Sequence, residues 1–171
     1  VRYLTIVRHA QSTPAGAGES DYGRQLSKRG RAQCKELKAW ARDKDELGRF
    51  GPTTALVSSA ARTRETFHRA FEETDFVESV EYSELIYNGR REVTAEDVLI
   101  ELAAIDPVTM SLLVVGHSPT VHELLYLLAR TLPNSLSRKG YPLGGAYVLE
   151  LPDDRQIGLA KYDVVANYIP D

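Results

Sequence analysis

The stretch Leu4-Thr5-Ile6-Val7-Arg8-His9-Ala10 places an apolar run directly before an arginine and a histidine. A short continuous apolar run is what a strand buried on both faces requires, as in the parallel sheet of an α/β domain. Tyr3 to Val7 therefore reads as a buried strand, with Arg8 and His9 at its carboxyl end. Similar runs recur down the chain. Ala55-Leu56-Val57 and Ser111 to Val115 read as further buried strands, and Phe76 to Tyr82 alternates with period two. Ala146 to Leu151 and Ile157 to Tyr162 read as a closing antiparallel pair joined through Pro152-Asp153-Asp154-Arg155.

Amphipathic segments fall between the runs. A helix beginning near Ser27 carries Cys34, Leu37, Trp40 and Ala41 on one face, and a second from about Ala60 buries Phe67, Ala70 and Phe71. A third opens on the capping-box pattern Thr94-Ala95-Glu96-Asp97 and buries Val98, Leu102 and Ile105. The fourth takes Ser118 as N-cap and Pro119 as first helical residue, followed by Val121, Leu124, Leu125, Leu128 and Leu132. Strands alternating with helices predict a three-layer α/β/α sandwich with a mostly parallel central sheet. No repeat, linker or low-complexity tract interrupts it, so residues 1–171 read as one domain.

Composition narrows the function. Apolar residues are 43% and charged residues 26%, the balance of an ordinary globular protein. With 21 basic and 24 acidic residues the net charge is −3, so no global field draws the chain to nucleic acid or an anionic membrane. Any anion affinity is local. Cys34 is the single cysteine, which excludes an internal disulfide and a cysteine-based metal cluster. The opening Val1-Arg2-Tyr3-Leu4-Thr5 lacks a signal peptide's charged and apolar regions, and no stretch approaches the ~20 apolar residues of a membrane span. The expectation is a cytoplasmic protein, acting as a monomer.

The unusual polar residues fall at strand ends. Arg8-His9 closes the first strand, Arg62 follows the second in Ser58-Ser59-Ala60-Ala61-Arg62, and His117 follows the fourth in Gly116-His117-Ser118. Open α/β sheets build their sites outside the carboxyl ends of their strands. There, two arginines and two imidazoles would form a small cationic pocket suited to a tetrahedral phosphoryl group, because guanidinium donates to its oxygens in pairs. Arg62 also stands in the first turn of a helix, where its charge opposes the macrodipole. Taken singly, each piece could be a solvated loop or a hydrogen-bonded turn; their joint placement points to a site.

The order Arg8-His9, Ser58-x-x-x-Arg62-x-x-x-Thr66, Gly116-His117-Ser118, with Asp21-x-x-Arg24-x-Leu26-Ser27-x-x-Gly30, resembles the histidine phosphatase superfamily and its SixA-like phosphohistidine phosphatase branch. The resemblance runs from Tyr3 to about Leu151 and implies a phosphoglycerate-mutase-like fold and a phosphatase needing no metal or other cofactor. It makes His9 the nucleophile that becomes phosphohistidine, Arg8 and Arg62 the clamp on the phosphoryl oxygens, and His117 a further donor. Ser12 and Arg24, on the loop after the first strand, are candidate substrate-binding residues. Two positions depart from the pattern: Ala10 replaces the usual Gly, and Ser59 stands where Pro is common.

Substrate class turns on the leaving group. An alkoxide, whose conjugate acid has a pKa comparable to water's ~15.7, needs a general acid. Glu84, in Glu84-Leu85-Ile86-Tyr87-Asn88-Gly89, is the candidate, since it resembles the superfamily's Glu-Leu-x-x-x-Gly position. An imidazole of pKa ~6.5 leaves with far less help. Only about a dozen residues, Tyr82 to Val93, join the third strand to the next helix, which predicts a shallow pocket open to a phosphoryl group on another protein. The leading expectation is dephosphorylation of phosphohistidine on a protein partner. A small-molecule phosphomonoesterase and a non-catalytic phosphate-binding module are the alternatives. Arg90-Arg91 reads as an exposed turn, though it could steer an acidic partner; His68 and His122 read as helix residues without a role.

Overall fold

The computed structural model describes residues 1–43, 51–136 and 140–170. The strands are β1 (Arg2–Arg8), β2 (Thr53–Ser58), β3 (Val77–Ser83), β4 (Ser111–Gly116), β5 (Ala146–Leu151) and β6 (Val164–Tyr168). The helices are α1 (Lys28–Arg42), α2 (Ala61–Phe67, continued by a π turn over His68–Glu72), α3 (Ala95–Ile105) and α4 (Thr120–Leu128). The six strands form one sheet in the order β3-β2-β4-β1-β5-β6. β3, β2, β4 and β1 are mutually parallel, and β5 runs antiparallel to β1 and to β6.

Alternation along the buried strands divides the core in two. Leu4 and Ile6 of β1, with Leu112 and Val114 of β4, face α3 and α4. Val7, Leu113 and Val115 face the other way, onto Cys34, Leu37 and Ala41 of α1 and Phe67 of α2. Each fully buried Leu or Val contributes about 1.5–3 kcal/mol over its exposed state, so sliding either strand by one residue would forfeit both faces. This is the expected three-layer sandwich. It also means that α1, after β1, and α4, after β4, lie on opposite faces although β1 and β4 are neighbours. The chain thus reverses its winding between these two strands, and the carboxyl ends of strands at such a reversal are where open α/β sheets place a binding crevice.

Local signals explain the helix starts. The Ser27 hydroxyl accepts from the Gly30 N–H at the start of α1, and Thr94 and Asp97 close a reciprocal capping box on α3. Gly30 serves packing as well, since a Cβ there would fall 2.0 Å from the Gln11 carbonyl oxygen. α1 can therefore sit against the segment that leaves His9.

Two expectations are corrected. Ile157 to Tyr162 is not the partner strand of β5; that strand is β6, farther along the chain. The earlier segment spends its backbone groups elsewhere. The Ile157 N–H donates to the Asp106 carboxylate at 2.6 Å, and Tyr162 pairs with the end of α4 and the chain just past it through bonds to Leu128 and Arg130. The second correction concerns α4, which has no side-chain N-cap: Pro119, not Ser118, is the cap residue. The helix ends at Leu128 because Ala129 turns extended to bridge Tyr162, leaving Leu132 to pack on the core from outside it.

Candidate active site

Strand register sets the frame. Arg8 pairs with Gly116 across β1 and β4, so His9 and His117 emerge side by side. Their ring centroids lie 5.4 Å apart. Val57 of β2 pairs with Val115, which brings Ser58 and the start of α2 alongside, and the Ser58 hydroxyl lies 2.7 Å from His117 Nε2. Arg8, His9, Arg62 and His117, predicted to converge, do so at the crevice. His9, Arg62 and His117 are buried, at 8%, 5% and 3% exposure.

His9 is held by its backbone surroundings. Its N–H donates to the Gly116 carbonyl, and the Thr66 hydroxyl accepts from the Ala10 N–H at 3.0 Å, tying this segment to α2. The ring Nδ1 lies 2.7 Å from the Ala10 carbonyl oxygen. A carbonyl can only accept, so Nδ1 carries the proton and the neutral ring keeps its lone pair on Nε2. Burial, reinforced by the charges of Arg62, Arg8 and Arg24, lowers the His9 pKa to about 4 against the pull of the Ala10 bond. His117 is lowered to about 2 by burial and by the charges of His9, Arg62 and Arg8, with Asp21 opposing. Both imidazoles are neutral at pH 7.

The arginines differ in their anchors. Arg8 Nη1 donates to the Tyr141 carbonyl at 2.8 Å. Arg62 donates from Nη1 to the Asp21 carbonyl at 2.9 Å and from Nη2 to the Asp21 carboxylate at 3.3 Å. Among the described residues, the buried side-chain nitrogens and oxygens lacking a hydrogen-bond partner are Arg8 Nε, Ser59 Oγ and His117 Nδ1. All three residues stand at the carboxyl ends of β1, β2 and β4. Orphaned buried polar groups are costly, and two donors on the cluster itself, Arg8 Nε and His117 Nδ1 when protonated, suit an anion.

Among the described residues, the remaining sequence candidates make no hydrogen bond to Arg8, His9, Arg62 or His117. Arg24 donates to the Thr13 carbonyl, to Asp21 and to the Ser12 hydroxyl, which links Ser12 to Arg24 on the same loop and leaves the Ser12 O–H as a donor. Arg24 still adds positive field at His9. Glu84 sits in a 3-10 turn, Glu84–Ile86, just past β3; it is exposed, and its side chain makes no hydrogen bond or ion pair among the described residues. Arg90 lies over the Tyr22 ring at 5.1 Å. His68 pairs with Glu72 on the surface, and His122 stands 6.5 Å from the Tyr141 ring, both away from the cluster. Asp21 and Tyr87 join the cluster in the structure without a signal in the sequence that marks them as a pair. The Tyr87 hydroxyl donates to the Asp21 carboxylate at 2.6 Å, and its ring meets His117 edge-on at 5.7 Å. Asp21 belonged to a recognised motif, but nothing local in the sequence joins it to Tyr87.

This sandwich, with two neutral imidazoles and two guanidiniums gathered at a switch point of the sheet, is similar to solved structures of phosphatases in the histidine phosphatase superfamily. Among solved structures, the chain is similar to a protein from Agrobacterium tumefaciens described as the phosphohistidine phosphatase SixA, at 26% identity and TM-score 0.76 over 99% of both chains. It is also similar in fold to a SixA counterpart from Nakamurella multipartitia, at 24% identity and TM-score 0.75 over 99% of this chain and 96% of that one. A third, the protein histidine phosphatase SixA complexed with tungstate, matches at 18% identity and TM-score 0.72, over 96% of this chain and 95% of that one. No family model and no curated protein matches the sequence. Among the described residues, no helix is long and apolar enough to cross a membrane.

Proposed function

We propose that this chain is a metal-independent phosphatase that forms a phosphohistidine intermediate on His9 and dephosphorylates phosphohistidine on a partner protein. The observation that carries this reading is the His9 tautomer. With Nδ1–H given to the Ala10 carbonyl, Nε2 is a neutral nucleophile at the mouth of a cationic crevice. Its lone pair attacks phosphorus as the bond from phosphorus to the substrate imidazole breaks, and the electron pair leaves on that imidazole, which takes a proton from solvent. Water then attacks the phosphorylated His9, the new N–P bond breaks, and inorganic phosphate departs. Arg8 and Arg62 neutralise the phosphoryl oxygens, the service a metal ion gives elsewhere, and the free Nδ1 of His117 is available as a further donor. Ser12 and Arg24 serve by holding the loop and its positive field beside His9.

Phosphohistidine is favoured over an alkyl phosphate because Glu84 is exposed and bonded to none of the cluster. It can act as general acid for an alkyl phosphate only by turning into the crevice. The connection from β3 to α3 holds one 3-10 turn and no further helix, which suits a phosphoryl group carried on a protein surface. The neighbour bound to tungstate, a tetrahedral oxyanion, supports the same occupant here. The single cysteine, Cys34, is buried, in keeping with a cytoplasmic enzyme.

The test is to incubate the protein with a histidine-phosphorylated protein and with a panel of phosphomonoesters, with EDTA present, beside His9→Ala. Phosphate release from the phosphohistidine substrate by the wild type alone is expected. Release from monoesters only would move the reading to a small-molecule phosphomonoesterase. Absence of any turnover would leave a phosphate-binding module, and full activity of His9→Ala would exclude the intermediate.

A further inference from the structure

Arg62 is the one member of the cluster carried by a helix, and a loop residue, Asp21, holds it through both its backbone carbonyl, at 2.9 Å, and its carboxylate, at 3.3 Å. Two of the five N–H donors of its guanidinium go to Asp21. Three remain for an anion. Asp21 lies in the loop between β1 and α1, and the same carboxylate takes a bond from Tyr87 at 2.6 Å and one from Arg24 at 3.0 Å. These bonds, that from Tyr87 foremost, hold the Asp21 pKa down to about 2, so the carboxylate stays ionised. Tyr87 is itself buried, at 3% exposure, and pinned edge-on between His117 and Tyr22. Gly89 permits this packing, since a Cβ there would fall 2.0 Å from the Tyr87 hydroxyl and 2.8 Å from Asp21 Oδ2.

We propose that Asp21 and Tyr87 are positioning residues, a brace in which the Tyr87 hydroxyl aims the Asp21 carboxylate and the carboxylate aims the Arg62 guanidinium at the phosphoryl oxygens. An arginine free to sample its rotamers loses about 2 kcal/mol of side-chain entropy when it is fixed. A brace assembled before the anion arrives removes part of that cost from binding and from the transition state. The proposal rests on the reading that the anion lies against Arg8, Arg62 and His117.

Charge and geometry predict opposite outcomes, which makes the test sharp. Asp21 is an anion beside an anion site. If it acts only through its charge, Asp21→Asn tightens anion binding; if it positions Arg62, the same change weakens it. Tungstate binding is to be measured by calorimetry, and kcat and KM on a histidine-phosphorylated protein, for the wild type, Tyr87→Phe, Asp21→Asn and Asp21→Glu, with melting temperatures for each. Tyr87→Phe removes one oxygen and keeps the ring; it should weaken tungstate about 10-fold, the scale of one hydrogen bond to a charged group. Asp21→Asn should weaken it further and lower kcat more than it raises KM, and Asp21→Glu should recover part of the loss. Tighter tungstate binding by Asp21→Asn, or wild-type affinity and kcat in Tyr87→Phe, would overturn the brace. A wild type that binds tungstate without turnover defeats the proposed activity but leaves the brace testable by affinity; one that binds no tungstate defeats both.

Discussion

Lowering the pH to 5 should leave about nine-tenths of the His9 rings neutral, whereas an imidazole of ordinary pKa ~6.5 would be about 3% neutral there. The first figure follows from a His9 pKa of about 4. Its largest cause is burial, and the charges of Arg62, Arg8 and Arg24 act in the same direction. The nucleophile should therefore remain competent well into the acid range, and the acid limb should be set by substrate ionisation or by loss of the fold. The fold does pay in stability. The folded pKa lies below the unfolded one, so between the two the unfolded chain binds the extra proton, and stability falls as pH falls. The contribution is whole above pH ~6.5 and declines by up to about 1.4 kcal/mol per pH unit until the folded pKa is reached, or about 2 kcal/mol by pH 5. His117, lowered to about 2, adds a loss of the same sign over a wider window. The assay is a ¹H–¹⁵N titration of the histidine side chains, with His9 assigned by difference from His9→Ala and the native state monitored by near-ultraviolet circular dichroism. A His9 midpoint near 6.5, or a neutral tautomer protonated on Nε2, would refute the reasoning from burial and the Ala10 bond.

Other perturbations should separate the site from its support. Asp106→Ala strips a buried bidentate pair, with Arg2 at 2.8 and 3.1 Å, and should destabilise by about 3–5 kcal/mol in urea unfolding while the surviving folded fraction keeps its kcat. Gly30→Ala forces a methyl group to 2.0 Å from the Gln11 carbonyl oxygen; overpacking of this kind costs roughly 1–3 kcal/mol, and both melting temperature and kcat should fall because Gln11 follows so closely on His9. Glu84→Ala should reduce hydrolysis of an alkyl phosphomonoester by about 10²-fold, the low end for a general acid, and affect phosphohistidine far less. Equal losses on the two substrates would contradict the leaving-group argument.

The crevice was legible because it rests on local signals. A buried strand shows as an uninterrupted apolar run, and a polar residue stranded at its end is conspicuous, which is how Arg8, His9, Arg62 and His117 could be read together. Where bonding was decided by distant partners, local reading failed. Ile157 to Tyr162 has the composition of a strand, yet the Asp106 carboxylate and the backbone at the end of α4 claim its bonds. Leu132 continues the apolar spacing of α4, but the Tyr162 bridge ends the helix before it.

By itself, then, the sequence determined the alternation of strand and helix, the sandwich, and the residue types waiting at the strand ends, since these follow from hydrophobic periodicity and from short-range capping. Only the tertiary structure decided how those residues are aimed. The free nitrogen of His9 depends on the turn of the Ala10 carbonyl, and the direction of Arg62 on a carboxylate and a phenol 66 residues apart along the chain. Hydrogen bonds of that span leave no periodic trace, because they form only once the sheet has brought the loops after β1 and β3 to the same edge.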